Sequence, residues 1–285
     1  YRKQLKPTND PIAFFAFVAF FPQLVAGPIE RASHLLPQFY KTYKFNYQLV
    51  KSGLLLMTFG LFKKMIIADR AAILVNQVYN NPTEYYGFEI IVATVLFAFQ
   101  IYCDFSGYSD IAIGAARTMG FDLMKNFDSP YFSKSITEFW RRWHISLSTW
   151  FRDYLYIPLG GSRGNTVFRV RNVFIVFLVS GFWHGANWTF IAWGAIHALL
   201  FLPLLLTEKN RTFIDSTKIS MRQVPQLILT FLLVTFAWIF FRADSVTMAI
   251  KHLSKIFSSS IFLFAVSLMK NATLISAFLV GVFIL

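Results

Sequence analysis

Cysteine is almost missing: Cys103 stands alone among 285 residues, so the chain can form no intrachain disulfide. Its neighbours are apolar apart from Asp104, which favours a small buried hydrophobe over a metal ligand. Charge is scarce as well. Only 14% of residues are charged, against about 25% in an ordinary soluble domain. Acids are the scarcer sign, with 14 Asp and Glu against 27 Lys and Arg. Several motifs are absent too. No Gly-x-Ser-x-Gly elbow occurs, which argues against a serine hydrolase. No His-x-x-x-His or Cys-x-x-Cys pair suggests a metal, and no Walker-type loop is present. The first apolar run lacks a small-residue cleavage pattern, so it does not read as a signal peptide. No internal repeat or low-complexity tract is visible.

What the chain does have is apolar surface. It is 56% hydrophobic and 19% aromatic, with 34 phenylalanines. One soluble core cannot hide that much, and several apolar runs approach bilayer length, so a membrane is the natural solvent. The net charge of +13 would suggest nucleic acid in a soluble protein. Here the cations cluster between apolar runs, which fits cytoplasmic loops held against anionic headgroups, and no nucleic-acid partner is expected. The expected fold class is all-α, a polytopic membrane protein with broken or re-entrant and interfacial helices in contact with membrane lipid. The chain begins at Tyr1 and ends at Leu285 inside an apolar run. Residues 1–285 are therefore expected to be a single membrane domain truncated at both ends.

Pro11 to Ile29 is apolar but interrupted by Pro22, Gly27 and Pro28. With Arg2, Lys3 and Lys6 before it and Arg31, Lys41 and Lys44 after it, a simple crossing is disfavoured and a re-entrant or kinked segment is expected. Leu49 to Ile67 reads as a short span whose Lys51, Lys63 and Lys64 snorkel to the interfaces. Ala68 to Tyr79 reads as an interfacial helix and Asn80-Asn81-Pro82 as a turn. Gly87 to Gln100 enters the membrane and leads to Asp104 and Asp110. These acids either mark the end of the span and cap a helix starting near Ser109, or let Asp104 line a polar funnel. Ser135 to Tyr156 reads as one amphipathic helix in the headgroup layer, because Phe139, Trp143, Leu147, Trp150, Phe151 and Tyr154 recur at three- and four-residue steps. Val173 to Leu206 holds two apolar arms, either one long bent helix or a tight re-entrant pair. Gln226 to Phe241 is a span, Glu208 to Val224 a polar loop, Ser245 to Ser260 an interfacial helix, and Ile261 to Leu285 a further apolar run.

Two histidines stand out. His184 lies among Ser180-Gly181-Phe182-Trp183-His184-Gly185-Ala186-Asn187-Trp188. On a helix, His184, Asn187 and Trp188 at i, i+3 and i+4 would share a face, and Gly181 and Gly185 would admit a close neighbour. A neutral imidazole in a dry, partly polar site can act as a general base; it can equally be hydrogen-bonding glue between helices. His144, beside Arg141, Arg142 and Trp143, is either a second functional group or a solvated interfacial residue. His197 falls on a different face from His184.

These residues carry a resemblance. Glu138-Phe139-Trp140-Arg141-Arg142-Trp143-His144, the stretch Asp153 to Gly161, and Ser180-Gly181-Phe182-Trp183-His184-Gly185 resemble the membrane-bound O-acyltransferase family. They are most similar to its bacterial branch that O-acetylates alginate and other exported polysaccharides. Pro22 to Ile29 and Tyr102 to Asp110 extend the likeness over nearly the whole chain. The resemblance implies helices around a central tunnel where a cytoplasmic acyl donor meets an acceptor from the outer face. It implies His184 and His144 as catalytic residues. Asn187, Trp183, Trp188, Asp104, Arg141 and Arg142 are the residues expected to line the tunnel or meet substrate. It implies no bound cofactor and no metal, with acetyl-CoA or another acyl thioester as donor substrate. A periplasmic esterase-like acetyltransferase partner, a polysaccharide acceptor and a bacterial inner-membrane location complete the expectation. A non-catalytic acyl-translocating channel subunit and a secondary transporter are the rival readings; the latter predicts an internal repeat, which is not found.

Overall fold

A computed structural model of the chain describes residues 8–24, 27–81, 83–209 and 220–258. The apolar run over 261–285, the turn residue Pro82, the basic residues at positions 2, 3 and 6, and most of the polar loop after residue 209 lie outside the described residues.

The described residues form helices and no strand. Among the described residues four helices are long and apolar enough to cross a bilayer, and the protein is a multi-pass membrane protein. The first segment is broken, as its prolines predict. α1 (Pro11–Val18) and α2 (Phe21–Leu24) are far too short to span, and α3 (Ala32–Leu35) leads into a 3₁₀ turn over Leu36–Tyr40. α4 (Tyr47–Phe62) is capped by the Asn46 side chain and runs into a π-helical turn over Lys63–Ala68. α5 (Asp69–Asn80) follows, burying Val75, Val78 and Tyr79.

α6 (Gly87–Thr118) is the organising element. Its 32 residues span about 48 Å at 1.5 Å per residue. The helix passes without a break through Asp104 and Asp110, so neither acid ends the span or caps a new helix. Instead each meets a lysine of the π turn. Lys63 pairs with Asp110 at 2.5 Å and donates to Ser106 Oγ at 2.9 Å, while Lys64 pairs with Asp104 and with Asp69. Lys63 is thus buried in an ion pair rather than snorkelling to an interface. The close approach of α4 to α6 makes these pairs possible. A β-carbon on Gly53 would lie 2.6 Å from the Gly114 carbonyl oxygen, and one on Gly60 would lie 2.6 Å from that of Gly107.

The expected single helix over 135–156 is two helices. α7 (Ile136–Arg142) and α8 (Ile145–Phe151) are separated by an extended Trp143 and by His144 in the left-handed region at φ 44°. A π-helical turn over Arg152–Tyr156 closes the segment. Periodicity carried across the break because Phe139, Trp143, Leu147 and Phe151 are all buried, but they are gathered from two short rods. Aromatic packing of Trp143 against Phe127, Phe139 and Trp238 draws them inward, so the segment is packed into the protein and not laid flat in the headgroups.

α9 (Thr166–His184) and α10 (Trp188–Leu206), 19 residues each, are a helical hairpin. Each arm is about 28 Å long, close to the thickness of a hydrocarbon core. Of the two alternatives for this stretch the bent single helix is excluded, and the pair that forms has arms each long enough to cross a bilayer rather than to re-enter it. Gly181 is one of two glycines where they touch: a β-carbon there would lie 2.3 Å from the Phe190 carbonyl oxygen, and one on Gly194 would lie 2.4 Å from that of Phe177. Gly181→Val therefore forces the arms apart and is expected to cost about 1–3 kcal/mol, read as a lower thermal midpoint of the detergent-solubilised protein. α11 (Val224–Arg242) and α12 (Val246–Ile256) pack on α6 and α10.

Candidate active site

The break at His144 is built by its neighbours. Asn126, 1% exposed, accepts from Ser146 Oγ at 2.9 Å, and its amide donates to Ser109 Oγ at 3.0 Å. Its backbone carbonyl accepts from the Ile145 N–H. This clamp ties the turn to α6 and holds a conformation that non-glycine residues seldom adopt, one for which histidine is among the better suited. The His144 ring then stands edge-on to Phe105 at 4.6 Å. Burial, with His184 as a smaller second cause, pushes the His144 imidazole down to about 3. It is therefore neutral throughout the physiological range, with one nitrogen to donate and one to accept.

His184 is the last residue of α9. Four rings surround it: Trp183 at 5.0 Å, Trp193 at 5.2 Å, Phe241 at 5.2 Å and Phe190 at 6.3 Å. Among the described residues no side chain hydrogen-bonds its imidazole, which leaves the ring nitrogens available to a substrate.

His144 and His184 line one cavity of about 350 Å³. Val173, Val176, Phe177, Ser180 and His184 form one wall, recurring along α9 at helical steps over about 16 Å. Trp140, Trp143, Leu147 and Phe151, from α7, α8 and the break between them, form the facing wall. Arg141, Arg152, Tyr156 and Ser162 bring polarity to the lining. The arrangement can hold a long, mostly apolar group along α9, with cations near it and two imidazoles beside it.

Of the other residues singled out in the sequence, Arg141 lines the cavity, and Trp183 reaches it only through ring contacts with His144 and His184. Arg142 pairs with Glu138 at 2.7 Å and lies outside the lining. Asp104 is on α6, paired with Lys64. Gly185 ends α9, so His184, Asn187 and Trp188 do not share a helical face. Asn187 instead caps α10 through Thr189 N–H and donates to the Asp244 carbonyl at 2.9 Å. Trp188 is 77% exposed at the start of α10. Sequence reasoning missed Asn126, an ordinary loop asparagine in any local window, and Ser148 and Phe177, which both line the cavity and whose only signal was membership of a helix. Among the described residues no group of three His, Cys, Asp or Glu side chains converges on one point.

Comparison with known proteins bears on this geometry. The family model described as MBOAT, membrane-bound O-acyltransferase family, matches residues 3–250. A peptidoglycan O-acetyltransferase of Helicobacter pylori is 39% identical over 86% of the chain and 48% of its own length. A probable alginate O-acetylase, AlgI, of Pseudomonas aeruginosa is 42% identical over 90% of the chain and 48% of its own length. A teichoic acid D-alanyltransferase of Streptococcus thermophilus is 28% identical over 75% of the chain and 55% of its own length. The chain spans about half the length of the curated relatives it matches.

Proposed function

The chain belongs to the membrane-bound O-acyltransferase family, and from that premise we propose that it is an O-acetyltransferase moving acetyl groups from a cytoplasmic thioester toward an exported polysaccharide such as alginate. One observation carries the reading: His144 and His184, distant in sequence, line the same elongated cavity with arginines in its lining. The names of the relatives, which act on alginate and on peptidoglycan, support the acceptor class.

In this reading the acceptor hydroxyl oxygen attacks the acetyl carbonyl. His184 takes the hydroxyl proton as the new C–O bond forms. The C–S bond then breaks, and the departing sulfur receives the proton from His184, giving an acetyl ester and a free thiol. His144, neutral and fixed by the Asn126 clamp, hydrogen-bonds the reacting groups and carries no charge of its own. The rings around His184 exclude water and hold its plane. Arg141 and Arg152 suit a phosphorylated donor such as acetyl-CoA. A periplasmic esterase-like partner completes transfer to the sugar, residues 1–285 act as one membrane domain, and the protein resides in a bacterial inner membrane. Asp104, Arg142, Asn187 and Trp188 take no step.

The purified protein in lipid nanodiscs, given radiolabelled acetyl-CoA together with the periplasmic partner and a soluble oligosaccharide acceptor, is expected to release free thiol in step with labelled ester. Passage of intact thioester across the membrane without thiol release would mean an acyl-translocating channel subunit instead.

A further inference from the structure

His197 takes no part in that step, yet it is the most enclosed histidine of the hairpin. It sits on α10 with 0% exposure. Its ring lies parallel to Phe139 and near-parallel to Phe177, with centroids 6.5 and 6.1 Å away. Trp140 and Trp193 meet it edge-on at 4.9 and 5.1 Å. The Trp140 indole N–H donates to His197 Nδ1 at 3.3 Å.

That bond fixes the proton inventory of the ring. An indole nitrogen can only donate, so Nδ1 is unprotonated. An imidazolium carries a proton on both nitrogens, so this His197 is neutral, with its proton on Nε2. It is therefore an acceptor by construction, aimed at one particular tryptophan. Trp140 and Phe177 line the cavity that holds His184, whereas His197 does not. Trp193, which His197 also touches, stands edge-on to His184. His197 thus contacts three rings that bound or brace the site, from behind.

We propose that His197 is a positioning residue for acyl transfer, its Nδ1 holding the Trp140 indole in place as a wall of the cavity. The proposal rests on the assignment of acyl transfer to that cavity. Without the acceptor, the Trp140 N–H is left unpaired in a partly buried place, a costly state. The indole then turns to find a partner, its ring enters the space beside His184, and the thioester no longer lies in line.

The alternative is that His197 merely fills volume, and the two roles predict opposite orders of substitution. The amide oxygen of His197→Asn falls near the position of Nδ1 and can accept from Trp140. His197→Phe keeps the ring and loses the acceptor. With acetyl-CoA as the probe donor, His197→Asn is expected to keep kcat/KM close to the parent, and His197→Phe to lower it by about ten- to a hundredfold. In protein labelled with 5-fluorotryptophan, the Trp140 fluorine resonance, assigned as the one missing from Trp140→Phe, is expected to shift in His197→Phe and to stay in His197→Asn. If His197→Phe does not accumulate in the membrane, His197→Gln, whose amide reaches toward the Nε2 position, replaces it as the variant lacking the acceptor. Parental behaviour of the Phe or Gln variant together with impairment of the Asn variant overturns the proposal. The fluorine readout needs no turnover. An active His184→Ala enzyme would overturn the assignment of chemistry while leaving the His197–Trp140 result to be read on its own.

Discussion

On the proposed reading, replacing His184 with alanine is expected to lower acetylation of the exported glycan by about 10²–10⁴-fold, the range that a positioned general base contributes. The expectation follows from where the ring sits. It terminates α9, four aromatic rings surround it, and it borders the cavity with no side-chain hydrogen bond to its nitrogens among the described residues. A histidine serving as glue between helices would be hydrogen-bonded across the interface, and His197 shows what that looks like in this protein. His184→Gln separates the roles further, since glutamine keeps hydrogen-bonding capacity but cannot carry a proton between hydroxyl and thiol. Both variants are expected to be inactive at unchanged protein level. The measurement is ester-linked acetate per unit of exported polysaccharide, normalised to membrane-extracted protein. Wild-type acetate content in the alanine strain would remove the proposed chemistry.

The second large effect concerns the fold. Asp110→Ala leaves the Lys63 ammonium buried beside α6 with the Ser106 hydroxyl and the Phe59 ring but no carboxylate among the described residues to pair with it. Removing one member of a buried pair costs about 3–5 kcal/mol. Because the Asp110 side chain is still 23% exposed, the low end applies, about 3 kcal/mol. In a chain of this size that corresponds to a fall of about 5–10 °C in the thermal midpoint. The double variant Lys63→Met/Asp110→Leu removes both charges and is expected to recover most of the loss, because an apolar pair of similar volume often replaces a buried ion pair at little cost. An Asp110→Ala midpoint within 1 °C or so of the parent would show that the pair is solvated and that α4 meets α6 for other reasons.

Much of this architecture is legible from residues alone, for a simple reason. Long apolar runs such as those in α6, α9, α10 and α11 have few alternatives in a bilayer, since every backbone group must be satisfied within its own helix. The broken first segment is legible through Pro22, Gly27 and Pro28. Two things are not. The turn at His144 is hidden because aromatic spacing continues across it, and the Asn126 clamp that enforces it comes from a loop before α7. The buried state of Lys63 is hidden because a lysine near a helix end reads as an interfacial anchor until Asp110 is known to stand opposite. Of the candidate site, His144, His184 and Arg141 are legible through the motifs that contain them. The location of Asn187 is not, because the i, i+3 argument assumes a helix that Gly185 ends. The back support from Trp140, Trp193 and His197 depends on which face of α10 meets α7, a question no single helix answers.

The paired glycines of α4 and α6 have a mechanical corollary. With carbonyl oxygens lodged where β-carbons would otherwise stand at both Gly53–Gly114 and Gly60–Gly107, neither rod can slide by a turn without a side chain striking backbone. This half of the molecule is a rigid pillar. The α9–α10 hairpin is pinned in the same way, at Gly181 against the Phe190 carbonyl and at Gly194 against that of Phe177, so a motion that admits a donor in the proposed reaction moves each pair of rods as a unit.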